Sequence, residues 1–87
     1  MTIKTYTVKA KEGIHARPAS LLTKVATKYS DRVDILYKTK KFTLKSIIGV
    51  LSLGIPHGET FSIEIEGHNE LAIVTEIENV LNEHQII

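Results

Sequence analysis

The cleanest alternation of apolar and polar residues in the chain is FSIEIE, residues 61–66. Successive side chains of a strand point to opposite faces, so this pattern predicts a strand with one buried face and one wet face. Directly after Gly67, apolar residues recur at three- and four-residue spacing, which predicts a helix over residues 69–83. A strand with one apolar face, followed by an amphipathic helix, predicts a sheet covered by helices.

The predicted last helix has one apolar stripe that would pack against the sheet. Its members are Leu71, Val74, Ile77 and Leu81. Asn69 precedes the stripe and is the predicted N-cap, because asparagine is favoured at that position.

The rest of the chain divides into similar short segments, separated by glycine, proline and polar residues. The predicted elements are a strand over 3–9, a helix over 16–29, strands over 33–38 and 41–44 joined by a hairpin, a short helix opened by Ser46, and a turn over 54–58. Pro18 would lie in the first turn of its helix, where a missing N–H costs nothing.

The element order is therefore β-α-β-β-α-β-α, and we expect residues 1–87 to form a single domain. The predicted fold class is α+β: an open-faced β-sandwich in which a four-stranded antiparallel sheet carries three helices on one face. A domain of this size buries only a modest core, which favours a surface site over a deep pocket.

Composition excludes several functional classes. The chain has no cysteines, which excludes a disulfide framework and a thiolate metal site. Its net charge of +1 gives no basic excess of the kind seen in nucleic-acid binders. No apolar stretch is long enough to span a membrane, and the N-terminus lacks the apolar core of a signal peptide, so we expect a cytoplasmic protein. One lysine cluster is expected to be a solvated sheet edge: Lys38, Lys40, Lys41 and Lys45.

The segment GIHARPA, residues 13–19, is the best candidate for a chemical site. It opens the first predicted helix, and a helix N-terminus has unpaired N–H groups and a partial positive charge that bind anions. His15 lies just before this helix, where the dipole disfavours a charged imidazole, and a neutral ring is a nucleophile. A phosphoryl group on His15 would lie over the N–H groups of Ala16 and Arg17 and near the Arg17 guanidinium. Taken alone, the histidine could equally be a helix cap beside a solvated arginine.

A second candidate segment is KSIIGVLS, residues 45–52. Ser46 suits the N-cap of a short helix. Ile47, Ile48 and Leu51 cannot all point inward from such a helix, so we expect an exposed apolar patch suited to transient docking.

Together, these segments resemble the HPr family, the histidine-containing phosphocarriers of the sugar phosphotransferase system. Residues 13–19 resemble the family's phosphorylation-site motif, and residues 44–55 resemble its second motif. The length, the element order and the positions of both motifs agree, so the resemblance covers essentially the whole chain.

The resemblance implies a relay, not an enzyme in the usual sense. His15 would accept a phosphoryl group from enzyme I, which takes it from phosphoenolpyruvate, and would pass it to an enzyme IIA protein or domain. The residues leave open which ring nitrogen reacts, and the resemblance implies Nδ1. No cofactor and no metal are expected, and the chain is expected to be a monomer.

The resemblance also implies regulation and a docking surface. Ser46 would be phosphorylated by HPr kinase/phosphorylase, as in low-GC Gram-positive bacteria. The surface around Ile47, Ile48 and Leu51 would contact enzyme I, enzyme IIA and the repressor CcpA, although many relatives carry methionine at the last two positions. Ser20 and Lys24 complete the predicted docking residues.

Lys24, Lys28, Lys40 and Lys45 are candidates for electrostatic steering of acidic partners, although solvation alone would explain them. The remaining histidines, His57, His68 and His84, show no metal-ligand spacing and are expected to be solvated.

Two alternatives to a sugar phosphocarrier remain open. One is a purely regulatory binding module switched at Ser46, similar to Crh, in which the active-site histidine is replaced. The presence of His15 argues against that as the only role. The other is a paralogue that serves a dedicated, non-sugar phosphorelay.

Overall fold

The computed structural model describes residues 1–87 and contains four strands and three helices in the predicted order. The elements are β1 (Thr2–Thr7), α1 (Ala16–Thr27), β2 (Arg32–Tyr37), β3 (Lys40–Thr43), α2 (Ile47–Ser52), β4 (Thr60–Glu66) and α3 (Glu70–Glu83). The segment after Ser46 is the short helix that was predicted.

The four strands form one antiparallel sheet in the order β1-β4-β2-β3. The strand with the cleanest sequence pattern, β4, is central: its Phe61 pairs with Tyr6 of β1, and its Ile63 pairs with Ile35 of β2. The apolar face of the sheet packs against the helices, and the other face is open. The predicted α+β open-faced sandwich is confirmed.

The core lies between the sheet and the helices. Ile35 and Ile63 on the central strands, Leu22 on α1 and Ile77 on α3 are almost completely buried. Burying one such side chain stabilises the fold by about 1.5–3 kcal/mol relative to leaving it exposed. None of the helices is both long and apolar enough to cross a lipid bilayer.

The apolar face of α3 differs from the predicted stripe. Leu71 is 80% exposed, whereas Ile73, Ile77 and Leu81 are completely buried and Val74 is half-buried. Because an α-helix turns by about 100° per residue, Leu71 lies about 160° away from Ile73 and faces solvent. The prediction was wrong at Leu71 because it started the stripe at the first apolar residue of the helix.

Several element ends also differ from the sequence pattern by one or two residues. β1 ends at Thr7, two residues before the predicted end, and the N–H of Lys9 donates to the carbonyl of Ile86 in the C-terminal segment at 2.6 Å. α1 ends at Thr27, two residues before the predicted end. Leu44 lies just beyond β3 and is nevertheless completely buried.

The open face of the sheet carries a cluster of charged side chains. Arg32 on β2 forms ion pairs with Asp34, Glu64 and Glu66, and Lys41 on β3 lies 3.3 Å from Glu64. The hydrogen bond from the Arg32 guanidinium holds the pKa of Glu64 below its usual range. Lys41 is therefore paired within the chain, which corrects the expectation that the lysines at this edge are simply solvated.

Candidate functional site

His15 is the last residue of the loop that joins β1 to α1. Two backbone hydrogen bonds fix this loop: the N–H of Gly13 donates to the carbonyl of Ala10 at 3.0 Å, and the N–H of Ile14 donates to the carbonyl of Ile55 at 3.1 Å. The Ile14 side chain is buried. The loop is therefore anchored to the core one residue before His15.

The start of α1 offers two free hydrogen-bond donors. His15 occupies the N-cap position with an extended backbone, and its carbonyl accepts from the N–H of Ala19 at 3.2 Å. Pro18 has no N–H. The N–H groups of Ala16 and Arg17 have no acceptor in the chain, so the two backbone groups predicted to bind an anion lie free beside His15.

The side chains of His15 and Arg17 are exposed and unbonded. His15 makes no capping hydrogen bond to its own helix, so the alternative of a histidine cap is not what the geometry shows. The Arg17 side chain forms neither an ion pair nor a hydrogen bond within the chain. An exposed imidazole, a free guanidinium and the positive end of a helix together suit an anion such as a phosphoryl group.

No enclosed cavity lies at His15. The surface has two shallow depressions, one around Lys9 and His84 and the other between α1 and α3 around Leu21 and Val80. Neither of them includes His15, so the candidate site is an open surface. Any partner that reacts with His15 must itself exclude water from the reacting groups.

Ser46 is the N-cap of α2, as predicted. Its hydroxyl oxygen accepts a hydrogen bond from the N–H of Gly49 at 3.2 Å. The preceding Lys45 is not simply solvated, because its Nζ donates to the carbonyl of Tyr29 at 2.9 Å. The two side chains that flank the start of α2 are therefore both engaged within the chain.

The predicted apolar docking residues differ in exposure. Ile48 is 78% exposed and Leu51 is 39% exposed, whereas Ile47 packs against the core. Phe42 of β3 is 41% exposed, and its side chain covers Gly49 of α2. Alternation in the sequence would place Phe42 on the buried face of its strand, but β3 is an edge strand that only α2 partly covers, so the ring stays partly exposed.

On α1, the two predicted docking residues are accessible to different extents. Ser20 is half-buried, and Lys24 is exposed without an ion-pair partner. Lys28, also a candidate for steering, instead pairs with Glu76 of α3, which accepts a second hydrogen bond from the Tyr29 hydroxyl. The hydrogen bond from Lys28 is the main reason that the pKa of Glu76 lies below its usual range.

The other histidines lie apart from His15. His57 and His68 are exposed, His84 is half-buried, and Nδ1 of His57 lies 3.2 Å from the carbonyl of Lys9. Nowhere in the chain do three histidine, cysteine or carboxylate side chains come together as metal ligands would.

The fold contains a buried carboxylate that no sequence pattern indicated. Asp31 is only 4% exposed, and it accepts hydrogen bonds from the backbone N–H of Asn69 at 2.7 Å and from the Asn69 side-chain amide at 3.0 Å. These bonds hold the pKa of Asp31 below its usual value. Asn69 does occupy the predicted N-cap position of α3, but its side chain bonds Asp31 instead of capping its own helix.

Solved structures that resemble this chain are phosphocarriers and a related regulatory protein. A mycoplasma histidine-containing phosphocarrier protein is 30% identical with a TM-score of 0.94, over 99% of this chain and 98% of that chain. An HPr phosphocarrier from Bacillus anthracis is 29% identical with a TM-score of 0.80, over 91% and 94%. Crh of Bacillus subtilis, a catabolite repression protein solved as a swapped dimer, is 28% identical with a TM-score of 0.71, over 95% of each chain. The fold is thus that of a class of small phosphocarriers.

The family follows from the sequence match. The family sequence model described as the PTS HPr component phosphorylation site matches residues 3–83 of the chain. The chain therefore belongs to the HPr family of the phosphotransferase system, and the family and fold support a phosphocarrier role.

Proposed function

We propose that the chain is a cytoplasmic phosphocarrier that accepts a phosphoryl group from phospho-enzyme I on His15 and passes it to an enzyme IIA protein or domain of a sugar permease. The observation that carries this proposal is the start of α1, where the side chains of His15 and Arg17 are exposed and unbonded beside two free N–H groups. A phosphoryl acceptor needs a nucleophile for the phosphorus and donors for its negatively charged oxygens, and both are present.

The transfer step needs no co-reactant. A lone pair of the neutral His15 ring, by resemblance that of Nδ1, attacks the phosphorus of the phosphoryl group that enzyme I carries. The new N–P bond forms as the bond between phosphorus and the donor breaks, and the donor atom keeps that electron pair. The N–H groups of Ala16 and Arg17 and the Arg17 guanidinium bind the phosphoryl oxygens. The second transfer to enzyme IIA regenerates His15, so the chain is a carrier and not a catalyst.

We further propose that partners dock on the exposed apolar residues of α2 and on the neighbouring part of α1. Ile48 and Leu51 supply exposed apolar area, with Ile47 at its edge, and Lys24 supplies a free positive charge near the half-buried Ser20. A small apolar patch beside an open phosphoryl site suits brief contacts with several partners in turn. The chain would act as a monomer in these contacts.

Regulation at Ser46 is also part of the proposal. A phosphate there would add about −1.5 to −2 charges at neutral pH, and a helix start tolerates such a charge. Phosphorylation by HPr kinase/phosphorylase would therefore act on partners, weakening the encounter with enzyme I and favouring binding to CcpA.

A two-step transfer tests the carrier role. The chain is incubated with labelled phosphoenolpyruvate, Mg²⁺ and catalytic enzyme I, and an enzyme IIA protein is then added. We expect label on the wild-type chain and then on enzyme IIA, and no label on either protein with His15→Ala. Undiminished transfer through His15→Ala would contradict the assignment of His15.

The regulatory binding module is the second candidate function, favoured by the likeness to Crh. It predicts that the wild-type chain takes no phosphoryl group from enzyme I but is phosphorylated at Ser46 by the kinase with ATP. Ser46→Ala would then lose this modification.

A further inference from the structure

We infer that a backbone contact between Gly13 and Ile55 positions His15 for phosphoryl transfer, an inference that rests on the phosphocarrier function proposed above. The His15 side chain makes no hydrogen bond that would hold its ring. Its position therefore depends on the loop that carries it, and Gly13 and Ile14 are where that loop is fixed.

The loop with His15 lies directly against the loop that follows α2. The carbonyl of Ile55 accepts the hydrogen bond from the N–H of Ile14 at 3.1 Å. A Cβ atom added at Gly13 would overlap that same carbonyl oxygen and would lie 3.0 Å from the Cα of Pro56. Ile14 and Ile55 are both buried, so each side of the contact is anchored in the core.

Gly13 is thus required for two separate reasons. Its φ of +71° is in the left-handed region that favours glycine, and the closeness of Ile55 leaves no room for a side chain. Non-bonded carbon and oxygen atoms approach to about 3.3 Å, so a methyl group would push the two loops apart by about 1 Å. A displacement of this size at a reacting group can cost about 100-fold in rate.

Gly13→Ala is the test variant and Gly58→Ala is its matched control. Gly58 also has a positive φ, +87°, but nothing lies within 4 Å of its Cβ position. Both substitutions carry the backbone cost of an L-residue at positive φ, and only Gly13→Ala forces the loops apart. Urea unfolding of both variants establishes the conditions under which each is folded.

The readout is the kinetics of acceptance from phospho-enzyme I. We expect Gly13→Ala to lower kcat by about 10- to 100-fold and to leave KM within about twofold, because the exposed docking residues Ile48 and Leu51 are not altered. Gly58→Ala should leave both parameters within about twofold. If the wild-type chain accepts the phosphoryl group and Gly13→Ala and Gly58→Ala have equal kcat values, this inference is overturned and the proposed function is not. A wild-type chain that accepts no phosphoryl group would overturn the proposed function and this inference with it.

Amide hydrogen exchange tests the same contact in the wild-type chain. We expect slow exchange of the Ile14 N–H, which is bonded to Ile55, and fast exchange of the free N–H groups of Ala16 and Arg17. Exchange at Ile14 as fast as at Arg17 would show that the contact does not persist in solution, and it would overturn the inference.

Discussion

The helices α1 and α2 both leave their first two N–H groups without an acceptor, and they differ in the side chains around those groups. At the start of α2, the Ser46 hydroxyl accepts from Gly49, and the neighbouring Lys45 is bonded to the carbonyl of Tyr29. The polar side chains at this helix start are therefore already used for the stability of the fold.

The start of α1 has no such internal bonds. Pro18 removes the N–H that a cap would have satisfied, and neither the His15 side chain nor the Arg17 side chain is bonded within the chain. Since both helix starts have a positive end and free donors, these features alone do not make a reactive site. The difference lies in an unbonded nucleophile and an unpaired cation, which only α1 provides.

Apart from His15 itself, the largest effect on phosphoryl acceptance among substitutions at the helix starts of α1 and α2 is expected at Arg17. Arg17→Ala should slow phosphoryl acceptance by about 10- to 100-fold, because a charge-assisted hydrogen bond contributes about 1.5–3 kcal/mol. Arg17→Lys keeps the charge and loses the forked donors, so its rate of acceptance should lie between those of wild type and Arg17→Ala. Rapid-quench rates with phospho-enzyme I measure this, and a rate for Arg17→Ala within twofold of wild type would remove Arg17 from the site.

A charge placed at the start of α2 should have a smaller effect on His15. Ser46→Asp should slow acceptance by about tenfold or less at low salt, because a negative charge on a docking surface acts mainly on the encounter with an acidic partner. The effect should shrink as salt is added, since exposed charges are screened. Ser46→Asn is the neutral control of similar size, and equal rates for the two variants at low salt would leave Ser46 regulation without an electrostatic basis.

At the start of α3, the bonds between Asp31 and Asn69 should make the stability of the fold depend on pH. The bonds from Asn69 lower the pKa of Asp31 in the folded chain. The contribution of Asp31 to stability is therefore fully present above the unfolded pKa of about 3.9, and it is lost as pH falls through the folded pKa. Wild type should lose stability as pH falls below about 4. Asp31→Asn should be less stable at pH 7 and show a flatter dependence in the acid range. Urea unfolding from pH 7 to pH 3 measures both, and parallel curves would contradict this role.

The smallest effect is expected from removing the cap of α2. Ser46→Ala should destabilise the fold by about 1 kcal/mol, since its hydroxyl satisfies the N–H of Gly49, and should leave the acceptance rate unchanged. Urea unfolding and acceptance kinetics of the same sample separate the two effects. A Ser46→Ala chain with an altered acceptance rate and unchanged stability would reverse the distinction drawn between the two helix starts.

Local sequence predicted the features that depend on local physics. Alternation identified β4, and the Ser46 hydroxyl caps the helix that it was expected to cap. Two features that were missed depend on residues distant in the chain. Asp31 accepts a hydrogen bond from Asn69, 38 residues later, and Gly13 contacts Ile55, which lies in a different loop. No periodicity reports such contacts, because they depend on how the elements pack and not on how each one forms.

The central claim is that His15 becomes phosphorylated, and the mass of the intact chain tests it most directly. Wild type and His15→Ala are incubated with phosphoenolpyruvate, Mg²⁺ and catalytic enzyme I. The mass of each intact protein is then measured by mass spectrometry before and after treatment with mild acid. The account predicts that wild type gains one phosphoryl group, loses it in acid, and that His15→Ala gains none. A folded wild-type chain that gains no phosphoryl group from a working enzyme I, or an equal gain in His15→Ala, would contradict it.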